Sequence, residues 1–89
     1  MVTPESIEQG IAAGLPCERV EVVGDGQHFQ ALVVSSAFAG RSRVQRHQLV
    51  YAALGERMRE EIHALSMKTL TPEEFAAQGG AGGSPAPNG

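Results

Sequence analysis

The sequence predicts a single α+β domain, with helices packed on a small three-stranded mixed sheet. Three observations point there. The chain has 89 residues, which gives room for one modest core and not for a second domain. Arg19–Val23 and Ile62–Lys68 alternate between polar and apolar residues at the strand period, while Phe29–Ser35 is apolar on both faces in its middle, the pattern of a covered central strand. Three further segments open on hydroxyl residues at helix-start positions, and together these readings give the order α-β-β-α-β-α.

Each element has its own signal. Thr3-Pro4-Glu5 reads as an N-cap hydroxyl, a proline at the first helical position and an acid in the first turn. Ile7 and Ile11 give the helix behind it an apolar stripe, and Gly14 with Leu15-Pro16 stops it. Gly24-Asp25-Gly26 separates the first two strands as a hairpin turn, its glycines free to take positive φ. Phe38-Ala39-Gly40 is a connector. Ser42-Arg43-Val44-Gln45 matches a capping box, and the helix it opens is predicted to run to about Arg59. At 100° per residue, Val44, His47, Val50, Tyr51, Leu54 and Met58 share one side of that helix. Thr71-Pro72-Glu73-Glu74 starts a short last helix with threonine at the N-cap and glutamate at N3. The domain is expected over residues 1–77. The tail over 78–89, nearly all Gly, Ala, Ser, Pro and Asn, is expected to be disordered because it has nothing to bury against the entropy of ordering.

Composition narrows the function. Hydrophobic residues make up 42 % and aromatic residues 4 %, with no Trp, so Val, Leu, Ile, Ala and Met must build the core. The net charge of −3 argues against a wholly basic nucleic-acid-binding domain while leaving room for a local basic patch. One cysteine, Cys17, cannot form an internal disulfide, which fits a reducing compartment and a cytoplasmic location. One Cys and three His are a thin supply for a protein-only zinc site. No secretory leader and no apolar run of membrane-spanning length are read from the sequence. Neither a phosphate-binding glycine loop nor a nucleophile with a general base placed by a known motif is present, so no enzyme is expected.

The candidate ligands are few. His28 stands at the exit of the hairpin turn and His63 sits in the third strand's pattern beside Leu65 and Met67. Either imidazole can be an ordinary structural residue or, when neutral, a ligand for iron or zinc. His47, on the apolar side of its helix, reads first as a half-buried histidine. Arg41, Arg43 and Arg46, with Arg57, make up the basic cluster. They read either as a solvated edge whose stems cover the core or, with His47, as an anion or nucleic-acid contact. Cys17 reads as a buried or half-buried thiol. Clusters of iron and sulfur normally take four ligands, mostly thiolates, so this chain alone is a poor scaffold for one.

Taken in order, several segments resemble one family. Gly24-Asp25-Gly26-Gln27-His28-Phe29, Val33-Val34-Ser35 and Phe38-Ala39-Gly40 resemble the hairpin and connector of BolA proteins. Val44-Gln45-Arg46-His47-Gln48-Leu49-Val50-Tyr51 resembles their central-helix signature. Ile62-His63-Ala64-Leu65-Ser66, Lys68-Thr69 and Thr71-Pro72-Glu73 resemble their third strand and final cap. The resemblance implies a BolA fold, similar to the type II KH domain. It implies a partner, a monothiol glutaredoxin, with which a 2Fe-2S cluster is shared, glutaredoxin and glutathione supplying thiolates. It implies that His63 is a cluster ligand, and that a second comes from the loop between the first strands, where some members have Cys and others His. This loop has no cysteine, so His28 takes that place ahead of Asp25, a harder oxygen ligand. Some family members are described as DNA-binding transcription regulators. Here the turn corresponding to the KH domain's GxxG loop runs Phe38 to Arg43 without that motif, and Arg41, Arg43, Arg46 and His47 remain as the candidate contacts. A homodimer without ligand is the third expectation.

Overall fold

The computed structural model describes residues 3–25, 27–55 and 65–79. Chain order is α1 (Pro4–Gly14), β1 (Arg19–Gly24), β2 (Phe29–Val34), a 3-10 turn over Ser36–Phe38, α2 (Arg43–Leu54), β3 (Leu65–Leu70) and α3 (Pro72–Ala77). The predicted α-β-β-α-β-α order is the observed one. The sheet is mixed, as expected: β2 lies in the centre, antiparallel to β1 and parallel to β3.

All three helix starts are capped by reciprocal side-chain and backbone bonds. Thr3 pairs with Ser6, Ser42 with Gln45 and Thr71 with Glu74. The ends depart from the sequence reading. α1 closes with Leu15 extended at φ −148° rather than with a left-handed glycine, because the residue before a proline is pushed out of the helical region. α2 ends at Leu54, earlier than the expected end near Arg59: Gly55 leaves the helix at φ 75° and its N–H bonds to the Tyr51 carbonyl. Residues 56–64 lie outside the described residues, and so do the expected start of the third strand at Ile62 and the tail from residue 80. Within the described chain β3 runs to Leu70, two residues beyond the predicted Lys68.

The register sorts the strand residues onto two faces. Val20, Val22, Phe29, Ala31, Val33, Leu65 and Met67 face α1 and α2, where Ile7, Ile11, Val50, Leu54 and Phe38 complete the main core. Leu32, Val34 and Leu70 face the other way and are covered by Phe75 of α3. β2 is thus buried on both sides, as its apolar run predicted. α1 and α2 approach so closely that a Cβ at Gly14 would stand 2.7 Å from the Ala53 Cα. The apolar side read for α2 is only partly used: Val50 and Leu54 are buried, whereas Val44 is 64 % and Tyr51 36 % exposed. Helical periodicity gives direction around the axis, but α1 and the sheet together cover a narrower sector than the apolar residues occupy.

Charged side chains close the margins. Glu8 of α1 accepts the Val22 N–H at 3.0 Å, and Arg46 of α2 donates to the Thr69 carbonyl at 3.0 Å, so a backbone group on each outer strand is held by a helix side chain. Arg46 also forks onto Glu74 of α3, Nη1 to Oε1 at 2.8 Å and Nη2 to Oε2 at 3.2 Å, while Nε donates to the Arg41 carbonyl and the guanidinium lies over the Phe38 ring. Arg19, paired with Glu21, stacks over Phe75. α3 has no fully buried residue, so the Arg46–Glu74 fork and Phe75 are what hold it to the sheet. Among the described residues no helix is long and apolar enough to cross a membrane.

Two stability measurements check this packing. Val50→Ala should lower the free energy of unfolding by about 2 to 3 kcal/mol in urea titration. Val44→Ala, on the same helix but in solvent, should change it by no more than about 0.5 kcal/mol. The Arg46 guanidinium, and then the Thr71 N–H, hold the Glu74 carboxyl below its ordinary value of 4.5. A depressed carboxylate stabilises the fold above its ordinary pKa, and that stability is lost as pH falls through the folded value. Glu74→Gln should therefore cost no more than about 1 kcal/mol at neutral pH, since solvent screens the half-exposed carboxylate, and its urea midpoint should converge on that of the unaltered chain as pH falls through the depressed Glu74 value.

Candidate functional site

The sheet has two ends, and the chemistry-bearing residues divide between them. At one end β1 passes to β2 through the hairpin turn. The Asp25 carboxylate builds that turn: its Oδ1 accepts the N–H groups of Gln27 and His28, both at 2.9 Å, and its own N–H donates to the His28 carbonyl. The two amides, His28's first, pull the Asp25 carboxyl below its usual range. Gly24, free by its lack of a side chain to take positive φ, does not use that freedom. It closes β1 in register with Phe29, and its role is space, because a Cβ there would meet the Phe29 ring at 2.4 Å and the His28 carbonyl at 2.8 Å. Phe29 is thereby anchored in the core, and the imidazole of the preceding residue, His28, stands in solvent.

The parallel pairing sets Leu65, the first residue of β3, opposite Phe29. Both strands therefore start at the His28 end of the sheet. His63 lies outside the described residues.

Cys17 belongs to the opposite end. Its half-buried thiol donates to the Leu15 carbonyl at 3.2 Å, and burial raises its pKa. β1 has six residues and separates Cys17 from the hairpin turn by about 17 Å, so Cys17 and His28 cannot bind one metal centre together. Among the described residues no three of His, Cys, Asp and Glu gather as metal ligands. Among the described residues, the hairpin end offers one imidazole, that of His28, beside the Asp25 carboxylate.

The basic residues gather around the start of α2. Arg41 and Arg43 are exposed, Arg41 Nε bonding back to the Ala37 carbonyl. His47, half-buried one turn along, has its pKa lowered by burial and then by the Arg43 charge, so it stays neutral further into the acid range. Arg46 does not stand free beside them. Its side chain is 14 % exposed and its fork is occupied by Glu74. Glu74 is the participant the sequence reading missed, because its position at N3 of α3 already explained it as a cap. In the structure its Oε1 does both jobs, accepting the Thr71 N–H at 2.9 Å as well as the Arg46 guanidinium.

Known proteins share this architecture. The family model of the BolA-like protein matches residues 12–74. The chain is 42 % identical over 71 residues to the acid stress protein IbaG of Escherichia coli strain K12, covering 79 % of this chain and 84 % of that protein. It is 44 % identical over 55 residues to the DNA-binding transcriptional regulator BolA of Haemophilus influenzae, covering 62 % of this chain and 53 % of that one. A solved structure of a bolA protein homologue from Coxiella burnetii is similar with a TM-score of 0.75 at 49 % identity, covering 85 % of this chain and 99 % of the other. The match is thus one of sequence as well as shape, and the chain belongs to the BolA family.

Proposed function

We propose that this protein is a non-enzymatic cytoplasmic partner of a monothiol glutaredoxin, and that the two share a 2Fe-2S cluster for its transfer or for iron signalling. The observation that carries the reading is the parallel register of Phe29 with Leu65. It brings the starts of β2 and β3 to one end of the sheet; in the sequence His28 stands one residue before Phe29 and His63 two residues before Leu65. His63 and His28 are the ligands this chain offers. The thiolates come from glutaredoxin and glutathione.

The chain's own contribution is orientation and charge. The Asp25 carboxylate spends one oxygen on the turn and leaves the imidazole of His28 as the soft donor there. A neutral imidazole in place of a thiolate makes the bound iron less anionic, as in Rieske-type ligation. Each imidazole must shed its proton to bind, so assembly depends on pH.

A second reading is favoured by the distribution of charge. Residues 41–55 hold three arginines and no acid in a chain of net charge −3. With the name of the Haemophilus influenzae relative, a DNA-binding transcriptional regulator, this supports a nucleic-acid contact at the start of α2, through Arg41, Arg43 and His47 with Arg46 beside them.

Mixing the protein with a cluster-loaded monothiol glutaredoxin should give a heterodimer with its own visible circular dichroism. His63→Ala should abolish that spectrum and His28→Ala should weaken it. An unchanged spectrum with His63→Ala overturns the ligand assignment. For the second reading, Arg41→Gln with Arg43→Gln should reduce duplex DNA binding at low salt at least about tenfold and flatten its salt dependence by about two phosphate contacts.

A further inference from the structure

We propose that Arg46 is a phosphate-binding position for a nucleic-acid backbone, and that Glu74 occupies it as an internal substitute for the phosphate. The proposal rests on the nucleic-acid reading of α2.

The geometry is that of an anion site already filled. A guanidinium presents a planar fork that carboxylates and phosphates satisfy in the same way, through two parallel N–H donors. In Arg46 both terminal nitrogens point to Glu74, at 2.8 and 3.2 Å. The other end of the guanidinium is fixed by the protein: Nε donates to the Arg41 carbonyl, Nη1 also to the Thr69 carbonyl, and the plane rests over Phe38. Departure of Glu74 therefore leaves the fork aimed and ordered rather than loose, with the Nη2 donors and one Nη1 donor open. An ordered fork loses little rotamer entropy on taking a phosphate.

Position makes the exchange meaningful. Arg46 follows Arg43 by three residues on α2 and touches the Arg41 carbonyl through its Nε, and both Arg41 and Arg43 are exposed. A backbone laid across Arg41 and Arg43 therefore reaches the fork as its neighbour. Glu74 itself is open to competition, its side chain 44 % exposed against 14 % for Arg46. The element that carries it is the most weakly held of the described helices, six residues long with no fully buried side chain. In the closed state Glu74 both cancels one positive charge and places a negative one at the edge of the basic surface. Ligand and α3 thus compete for the same donors.

The test compares two single-charge variants on a short DNA duplex, by fluorescence anisotropy across a salt series. Glu74→Gln keeps the capping box, because glutamine serves at N3 as glutamate does, so α3 retains its start. Far-ultraviolet circular dichroism checks that the fold is intact. Glu73→Gln changes the net charge equally at an exposed neighbour and leaves Arg46 paired. Glu74→Gln should bind about tenfold more tightly at low salt, with the slope of log affinity against log salt steeper by about one phosphate contact. Glu73→Gln should stay within about twofold of the unaltered chain, and Arg46→Gln added to Glu74→Gln should remove the gain. Equal gains from Glu73→Gln and Glu74→Gln would overturn the site, since bulk charge then explains the effect while the basic surface itself still binds. Absence of binding by every form at low salt overturns the nucleic-acid reading and the site with it.

Discussion

Everything in this fold depends on burying one six-residue strand on both of its faces. Phe29, Ala31 and Val33 look one way, Leu32 and Val34 the other, and each is at least nine-tenths buried. A strand of that composition has no face it can offer to water, so the sheet needs a cover on either side. α1 and α2 supply one and α3 the other. The same demand places β2 in the centre, because an edge position would leave its backbone groups as well as its side chains exposed. The helical crossover from β2 to β3 makes their pairing parallel. That pairing decides which loops share an end of the sheet. The arrangement of ligand candidates is thus a by-product of where the apolar residues had to go.

The two covers are unequal. The main core holds ten buried residues, set against three in the smaller cluster under α3. Where apolar area is short, charged groups take over. Arg46 links the connector, β3 and α3 through four hydrogen bonds, and Arg19 lays its guanidinium on Phe75. Polar links of this kind are directional and sensitive to pH and salt in a way that apolar burial is not. The fold is therefore firmest where α1, α2 and β2 meet, and most responsive at α3.

What could be read from the sequence follows the range of each interaction. The caps at Thr3, Ser42 and Thr71 act within three residues, so their spelling is complete in the local sequence and all three helix starts were legible. The two-faced run of β2 was legible for the same reason, since it states its own burial. Val44 and Tyr51 were assigned to the covered side because the helical wheel gives angles and cannot know how wide the neighbouring surface is. The Arg46–Glu74 fork joins residues 28 positions apart and left no trace. Glu74 already had a sufficient local explanation, and Arg46 sat in a run of arginines that read as one exposed cluster. At the hairpin end the sequence named His28 correctly as a turn-exit residue, but it could not show why Gly24 must lack a side chain, because the close approach of the Phe29 ring is a tertiary fact.

The Asp25 turn separates shape from chemistry. Its bonds run from the aspartate to backbone amides, so the loop's path is specified without help from the side chain at position 28. Phe29 anchors the next residue inward and Gly24 makes room for it. Position 28 is thus an interchangeable socket: a different side chain can be mounted there without disturbing the framework that holds it. A lineage built on such a loop can change what it presents at this end of the sheet by single substitutions, with foldability left out of the trade.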